Sequence, residues 1–298
     1  LLVSDNLSSL RKGEGNMWNT GIVDSDESIQ ITYGGKPLKP FTRYYWKVRL
    51  RNQVGKLSDW SEVAWFETTM LDEADWKANW IGDGSQQFVQ DEDFYKEDPM
   101  PLFRKEFSAS NSIRSARLYV SGLGYYEAYI NGKKVGDQVL DPGWTAHREQ
   151  VLYSVYDVTS MVSNGGNVLA FMLGNGWYNQ RDRTVEGCMW YDTPRLLCQL
   201  EIEYVDGSTE MVCSDDSWKT TTGPLLHDGI FTGEVYDARL ELDGWNRNGY
   251  DDSSWEKALV VRAPLGGLHA QLAPYDRVVR TLQPVRCEQK NDSIYWFV

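Results

Sequence analysis

Cysteine is scarce in this 298-residue chain: Cys188, Cys198, Cys213 and Cys287 are too few for a disulfide scaffold. No Cys-x-x-Cys or Cys/His spacing supports a structural zinc. Histidine is scarcer, at His147, His227 and His269, and without a Gly-x-Ser-x-Gly elbow a hydrolase triad has no support. Positive charge is also in deficit. Thirty Lys plus Arg stand against 43 Asp plus Glu, a net charge of −13, which disfavours a nucleic-acid partner because such affinity rests on basic residues. Neutral partners such as sugars remain open. No apolar run reaches the roughly 18 residues of a membrane span, and no basic-then-apolar signal pattern follows Leu1. Gly122-Leu-Gly124 lacks the third glycine of a dinucleotide loop, and no P-loop occurs.

What the chain does have is aromatics and strand patterns. Thirteen Trp and 17 Tyr suit sandwich cores, with a minority left to stack on sugar rings. Tyr44, Trp46, Val48 and Leu50 alternate with Tyr45, Lys47, Arg49 and Arg51, the period of a strand with one buried face. Leu196, Cys198, Leu200, Ile202 and Tyr204 alternate with Leu197, Gln199, Glu201 and Glu203, which predicts one dry and one wet face and makes Cys198 a small buried hydrophobe. Asn131-Gly132 predicts a two-residue hairpin turn, since both residues accept positive φ. The wholly apolar Val168 to Leu173 suits a strand buried on both faces. Helical signals are confined to one-turn pieces at Asp215–Trp218 and Asp251–Trp255, where Asp or Ser can cap backbone N–H groups.

The fold class read from these patterns is all-β, with two sandwiches. Residues 1–70 read as a first, incomplete one. Its Tyr-x-Trp-x-Val run, followed by Ser58-Asp59-Trp60-Ser61 and Trp65-Phe66-Glu67, resembles a fibronectin type III domain. Residues 71–265 form a larger sandwich of jelly-roll or galactose-binding type, carrying an acidic surface loop at 82–99. Residues 266–298 read as connecting strands. Asp91, Asp93 and Asp98 in the acidic loop could hold calcium, but the EF-hand spacing is missing, so no metal and no cofactor is expected.

The larger sandwich resembles the N-terminal module of bacterial α-L-rhamnosidases, glycoside hydrolase family 78. The resemblance rests on Gly122-Leu-Gly124-Tyr-Tyr-Glu127, Tyr129-Ile-Asn131-Gly132, Pro142-Gly-Trp144-Thr145 and Tyr156-Asp157-Val158-Thr159. It continues through Leu173-Gly174-Asn175-Gly176-Trp177-Tyr178, Gly233-Glu-Val-Tyr-Asp237-Ala-Arg239 and Asp251-Asp-Ser-Ser-Trp255. It also takes in Trp76-Lys-Ala-Asn-Trp80-Ile81 and Leu102-Phe-Arg104-Lys-Glu-Phe107. Each piece is weak by itself; their order and spacing are specific.

The resemblance implies a parent enzyme that hydrolyses terminal α-L-rhamnosyl linkages with inversion. It places the acid and the base on an (α/α)6 helical barrel further along the polypeptide. The chain is accordingly expected to be a fragment without catalytic residues, partnered by that barrel and, through the parent enzyme, by rhamnose-containing glycans. A periplasmic or extracellular place is favoured over the cytoplasm. Two rivals are an autonomous carbohydrate-binding module and a cell-surface interaction protein.

Glu234 and Asp237 are the most tempting carboxylate pair, yet turn contacts or a buried ion pair with Arg239 explain them as well. Sugar recognition needs a flat aromatic face and a few polar groups on loops between rigid strands. Asn175, Trp177, Tyr178 and Asn179 have that composition, with two glycines to loosen the backbone. Trp144, near Asp141 and His147, is the second candidate.

Overall fold

Extended backbone dominates the computed structural model, which describes residues 1–27, 29–86, 98–180 and 191–298. Cys188, Asp91 and Asp93 lie outside the described residues. The chain divides into two units, Leu1–Lys77 and Ala78–Val298.

The first unit holds β1 (Leu2–Ser4), α1 (Leu7–Arg11), β2 (Trp18–Asn19), β3 (Arg43–Lys47) and β4 (Ala64–Glu67), with one antiparallel sheet in the order β2-β1-β3-β4. Asn6 caps the helix by accepting the Ser9 N–H at 3.1 Å. Leu2, Val3, Leu10 and Tyr44 are buried, and Tyr44 stacks on Phe66 with centroids 5.4 Å apart. The predicted alternation stops early. The strand ends at Lys47, and Leu50, expected on the dry face, is exposed. Lys47, expected outside, is buried with its ammonium 5.0 Å from the Trp60 ring centroid, since a lysine stem can lie along an aromatic surface. Past Lys47 the hydroxyls of Ser61 and Ser58 accept the N–H groups of Val48 and Leu50.

The second unit holds the remaining strands. They are β5 (Ile81–Gly82), β6 (Pro101–Ala109), β7 (Ile113–Leu123), β8 (Tyr126–Ile130), β9 (Lys133–Lys134), β10 (Gln150–Asp157), β11 (Gly165–Leu173), β12 (Arg195–Tyr204) and β13 (Thr209–Cys213). β14 (Lys219–Thr222), β15 (Leu225–Gly229), β16 (Gly233–Tyr236), β17 (Glu256–Lys257), β18 (Leu259–Val260), β19 (Gly267–Ala270), β20 (Cys287–Asn291) and β21 (Ile294–Phe297) follow. One sheet runs β18-β5-β12-β7-β10-β19 with β13 beside β12; a second runs β17-β14-β6-β11-β8-β9. Leu118, Val120, Cys198, Leu200 and Ile202 from the first pack with Phe103, Ala128, Ile130, Leu169 and Phe171 from the second in one buried cluster, which makes the pair a sandwich. Two hairpins, β15–β16 and β20–β21, stand apart from both sheets.

β11 lies between β6 and β8, and Val168 to Phe171 are buried on both faces, as expected. Asn131 and Gly132 turn β8 into β9 at φ 53° and 79°. Cys198 is a fully buried free thiol. β12 is drier than its alternation predicts: Leu197 and Gln199 are buried, while Glu201 and Glu203 stay partly wet. The aspartate-led pieces expected as helical turns are tight turns instead. Asp215 and Asp251 accept the N–H groups of Ser217 and Ser253 at 2.9 and 3.0 Å, which drops Trp218 and Trp255 into buried positions. Of residues 266–298, β19 joins the larger sandwich by pairing in parallel with β10.

Candidate functional site

Three loops of the second unit meet around Trp177: the segment after β11, the segment between β9 and β10, and the tip of the β15–β16 hairpin. Hydrogen bonds to the carboxylates of Asp141 and Asp228 hold them.

The segment after β11 turns at Gly174-Asn175-Gly176. Asn175 donates its backbone N–H to both carboxylate oxygens of Asp228, at 2.9 and 3.1 Å, and its side-chain amide to the Asp228 carbonyl at 3.1 Å. The Asn175 side-chain oxygen accepts from the Asn179 amide at 2.6 Å. A Cβ on Gly174 would sit 2.6 Å from the Asp228 carboxylate, so glycine is needed for the carboxylate to approach this closely.

Burial pushes the Asp228 carboxyl above the usual range, against the opposing pull of the Asn175 N–H, His227 and the Gly176 N–H. A carboxyl with a raised folded pKa binds its proton more tightly when folded. Its penalty is therefore absent below the unfolded value of 3.8 and complete above the raised folded value. The stability of the wild type minus that of Asp228→Asn should accordingly fall as pH rises from about 3.5 to about 7. Urea midpoints at the two pH values measure it, and a constant or rising difference contradicts the assignment.

Between β9 and β10, Asp141 is buried and its carboxylate accepts from the hydroxyls of Tyr126, Ser154 and Tyr156 at 3.0, 2.6 and 2.6 Å. Burial, reinforced by these neighbours, pushes both tyrosines upward, so they remain donors. Trp144 follows three residues later. At the hairpin tip, Gly229 and Gly233 pair across the turn that carries Phe231.

The rings converge. Trp177 stacks on Trp144 with centroids 5.1 Å apart and an interplanar angle of 30°. Phe231 meets Trp177 edge to face at 5.8 Å and 83°. Trp144 and Phe231 remain 53% and 56% exposed.

Of the residues expected to meet sugar, Trp144 and Trp177 are therefore brought together, with Trp177 as the inner ring. Asn175 and Asn179 are each only 1% exposed and Tyr178 only 4%; their polar groups and faces are taken up by the loop itself. Tyr178 stacks on Tyr191 at 5.6 Å, and His147 stands edge-on to both. Burial lowers His147 to about 4, and among the described residues its Nδ1 has no hydrogen-bond partner, so it stays neutral near pH 7. Phe231 escaped the sequence reading. Its only local signal was the glycine-flanked turn.

Asp237 and Arg239 do pair, but at the surface rather than in the interior, with Asp237 also capping the short turn at Ala238–Leu240. Glu234 is exposed on β16. Among the described residues, no three His, Cys, Asp or Glu side chains group to hold a metal ion, and no helix is long and apolar enough to cross a membrane.

Residues 111–280 match the model of the α-L-rhamnosidase N-terminal domain, and residues 1–72 match a Rha78A-like N-terminal immunoglobulin domain. Immunoglobulin and fibronectin type III domains share a sandwich architecture, so the first unit keeps its expected class under a different family description. An α-L-rhamnosidase of Formosa agariphila is 34% identical over 100% of this chain and 33% of its own length. The structure of the α-L-rhamnosidase from Dictyoglumus thermophilum superposes with a TM-score of 0.87 at 38% identity, over 99% of this chain and 33% of that one. The Streptomyces avermitilis α-L-rhamnosidase, crystallised with L-rhamnose, shares the fold with a TM-score of 0.86 at 23% identity, covering 99% and 44%. The chain thus spans between about a quarter and a third of the length of these curated relatives. Through these matched N-terminal domains, it belongs to the α-L-rhamnosidases of glycoside hydrolase family 78.

Proposed function

We propose that this chain is the non-catalytic N-terminal part of an α-L-rhamnosidase, serving to support and shield the catalytic domain of the same polypeptide. The parent enzyme would hydrolyse terminal α-L-rhamnosyl linkages with inversion. The observation that carries this reading is the match to rhamnosidases along the whole chain, confined to about a third of their length. The loop chemistry agrees with it. Inverting hydrolysis needs an acid and a base about 6.5–9.5 Å apart with room for a water between them, and the carboxylates of the loop cluster, buried Asp141 and half-buried Asp228, are instead committed to tyrosine, serine and backbone donors.

The expected result is no release of aryl alcohol when the isolated chain is incubated with an aryl α-L-rhamnoside. The longer polypeptide containing it should release aryl alcohol under the same conditions. Turnover by the isolated chain that disappears on changing one of its own carboxylates would make the chain catalytic and end the accessory reading. An inactive longer polypeptide would end the rhamnosidase reading.

A further inference from the structure

The β20–β21 hairpin pairs with neither sheet of the larger sandwich. Its second strand and the residue after it, Ile294, Tyr295, Trp296, Phe297 and Val298, are wholly apolar, yet each is between 48% and 70% exposed. Elsewhere in this protein the same kind of run, Val168 to Leu173, became a strand with a neighbour on either side and cover on both faces. Among the described residues β21 has one neighbour, β20. A lone two-stranded hairpin is marginal in water, and a third strand or a packing layer is needed for it to be stable.

The two strands of the hairpin differ in kind. β20, Cys287-Glu288-Gln289-Lys290-Asn291, has the charged and polar composition of a sheet edge, whereas β21 has that of an interior strand. The two faces differ as well. The register sets Cys287 opposite Phe297, Glu288 opposite Trp296 and Gln289 opposite Tyr295, and directly opposed residues share a face. On the Glu288 face the Lys290 ammonium lies 4.3 Å from the Trp296 ring centroid and pairs with Glu288, which also bonds Arg286 at 3.1 Å. That face is dressed in charge for solvent. The other, with Cys287, Gln289, Tyr295 and Phe297, carries none.

The backbone has a direction too. Val298 donates to the Arg286 carbonyl at 3.0 Å and accepts from the Arg286 N–H at 3.2 Å. Alternation along an antiparallel ladder then turns the N–H groups of Trp296 and Val298 toward β20, and those of Tyr295 and Phe297 toward the open edge of β21.

The extent of the family matches narrows what lies on that edge. Relatives match along the whole chain, and the superposition on the Dictyoglumus thermophilum structure covers 99% of it, so the hairpin is within the shared fold. The match to the N-terminal domain nevertheless stops at residue 280. A shared element outside that domain goes with what lies beyond it in the longer relatives.

We propose that β20 and β21 begin a third sheet, completed by a strand from the polypeptide that follows this chain in the longer protein. That strand pairs with the open edge of β21, and its sheet closes an apolar layer over Tyr295 and Phe297. The partner presupposes the reading above, in which the chain is part of a longer rhamnosidase. Residues 281–298 are then the start of a further domain rather than a connection.

The test is hydrogen exchange, resolved to single residues, in the 298-residue chain and in the longer polypeptide containing it. The amides of Tyr295 and Phe297 should exchange at least about tenfold more slowly in the longer polypeptide. Phe297→Asp, which puts a charge on the apolar face, should lower the thermal midpoint of the longer polypeptide. In the 298-residue chain, where that ring is exposed, the midpoint should not move. Glu288→Gln, on the charged face, should be silent in both.

Equal exchange at Tyr295 and Phe297 in the two proteins overturns the proposal, and so does Phe297→Asp leaving the longer polypeptide as stable as before. Destabilisation by Phe297→Asp without slower exchange at the two amides would mean a face-on contact and no added strand, a further contrary result. Protection in the 298-residue chain that grows with its concentration, with a dimer in sedimentation, would make the occupant a second copy, also against the proposal. Activity separates this from the reading beneath it. If the longer polypeptide hydrolyses an aryl α-L-rhamnoside while the two amides exchange freely, only the third sheet is wrong; if it is inactive, the rhamnosidase reading fails whatever the amides do.

Discussion

Replacing Arg104 with alanine should destabilise the larger sandwich by about 3–5 kcal/mol, the cost typical of removing one partner from a buried charge network. The Arg104 side chain is fully buried on β6. Its guanidinium donates to the carbonyls of Trp245 and Arg247 at 3.0 and 3.2 Å, to Glu106 at 2.8 Å and to Asp252. It thereby holds the irregular segment around residues 245–252 onto the sheet. The two carboxylates are partly wet, with side chains 43% and 27% exposed, so they recover some solvation when the arginine leaves. The larger cost comes from the two orphaned carbonyls, at about 1–3 kcal/mol each if they stay dry, and from the void. Arg104→Lys keeps the charge but cannot serve four acceptors, so it should fall between wild type and alanine.

The same network sets an acid limb. Burial raises the Glu106 carboxyl, but the hydrogen bonds from Arg104 and the Gly249 N–H, with the Arg104 charge, outweigh it and leave the pKa lowered. A depressed folded pKa contributes stability that is present above the unfolded value and is lost as pH falls through the folded one. The slope of stability against pH in the acid range should therefore be shallower in Arg104→Ala than in wild type. Urea unfolding followed by tryptophan fluorescence, repeated across the acid range, reads both effects. A loss under about 1 kcal/mol with an unchanged slope would mean that Arg104 does not staple the segment.

Gly124→Ala should cost about 3 kcal/mol or more, and its damage should fall on the loop cluster. Gly124 has φ of 110°, a region that L side chains rarely adopt, and an added Cβ would overlap the Gly174 carbonyl oxygen. That atom is backbone and cannot swing aside. Relief requires moving Gly174–Gly176, the same residues that Asp228 holds and that lead into Trp177. The variant should therefore lose stability and disturb the stack of Trp177 on Trp144. Gly207→Ala is the control. Gly207 also has positive φ, 86°, but a Cβ there meets nothing within 4 Å, so only the conformational cost of about 1–2 kcal/mol applies. Equal losses at the two glycines would show that backbone conformation alone, and not the close approach, explains Gly124.

Much of the scaffold was legible in the sequence because it depends on neighbours in the chain. Asn131-Gly132 turns where two adjacent residues accept positive φ, and the unbroken apolar run at Val168 to Leu173 became a strand covered on both sides. The site was legible in part. Trp144 and Trp177 stood out as aromatics in glycine-rich loops, yet Asn175, Tyr178 and Asn179 carried the same signal and proved buried. Composition reveals that a loop is polar. It does not reveal whether the polar groups face a ligand or one another.

By itself, then, the sequence determined an all-β chain, its main turns and the family it belongs to, since alternation and turn chemistry are properties of a few consecutive residues. The tertiary structure alone decided that Phe231 meets Trp177, that Arg104 reaches Asp252, and that Gly124 touches Gly174. Those contacts join segments far apart in the chain. They follow from strand register and sheet order, which no short window of residues encodes.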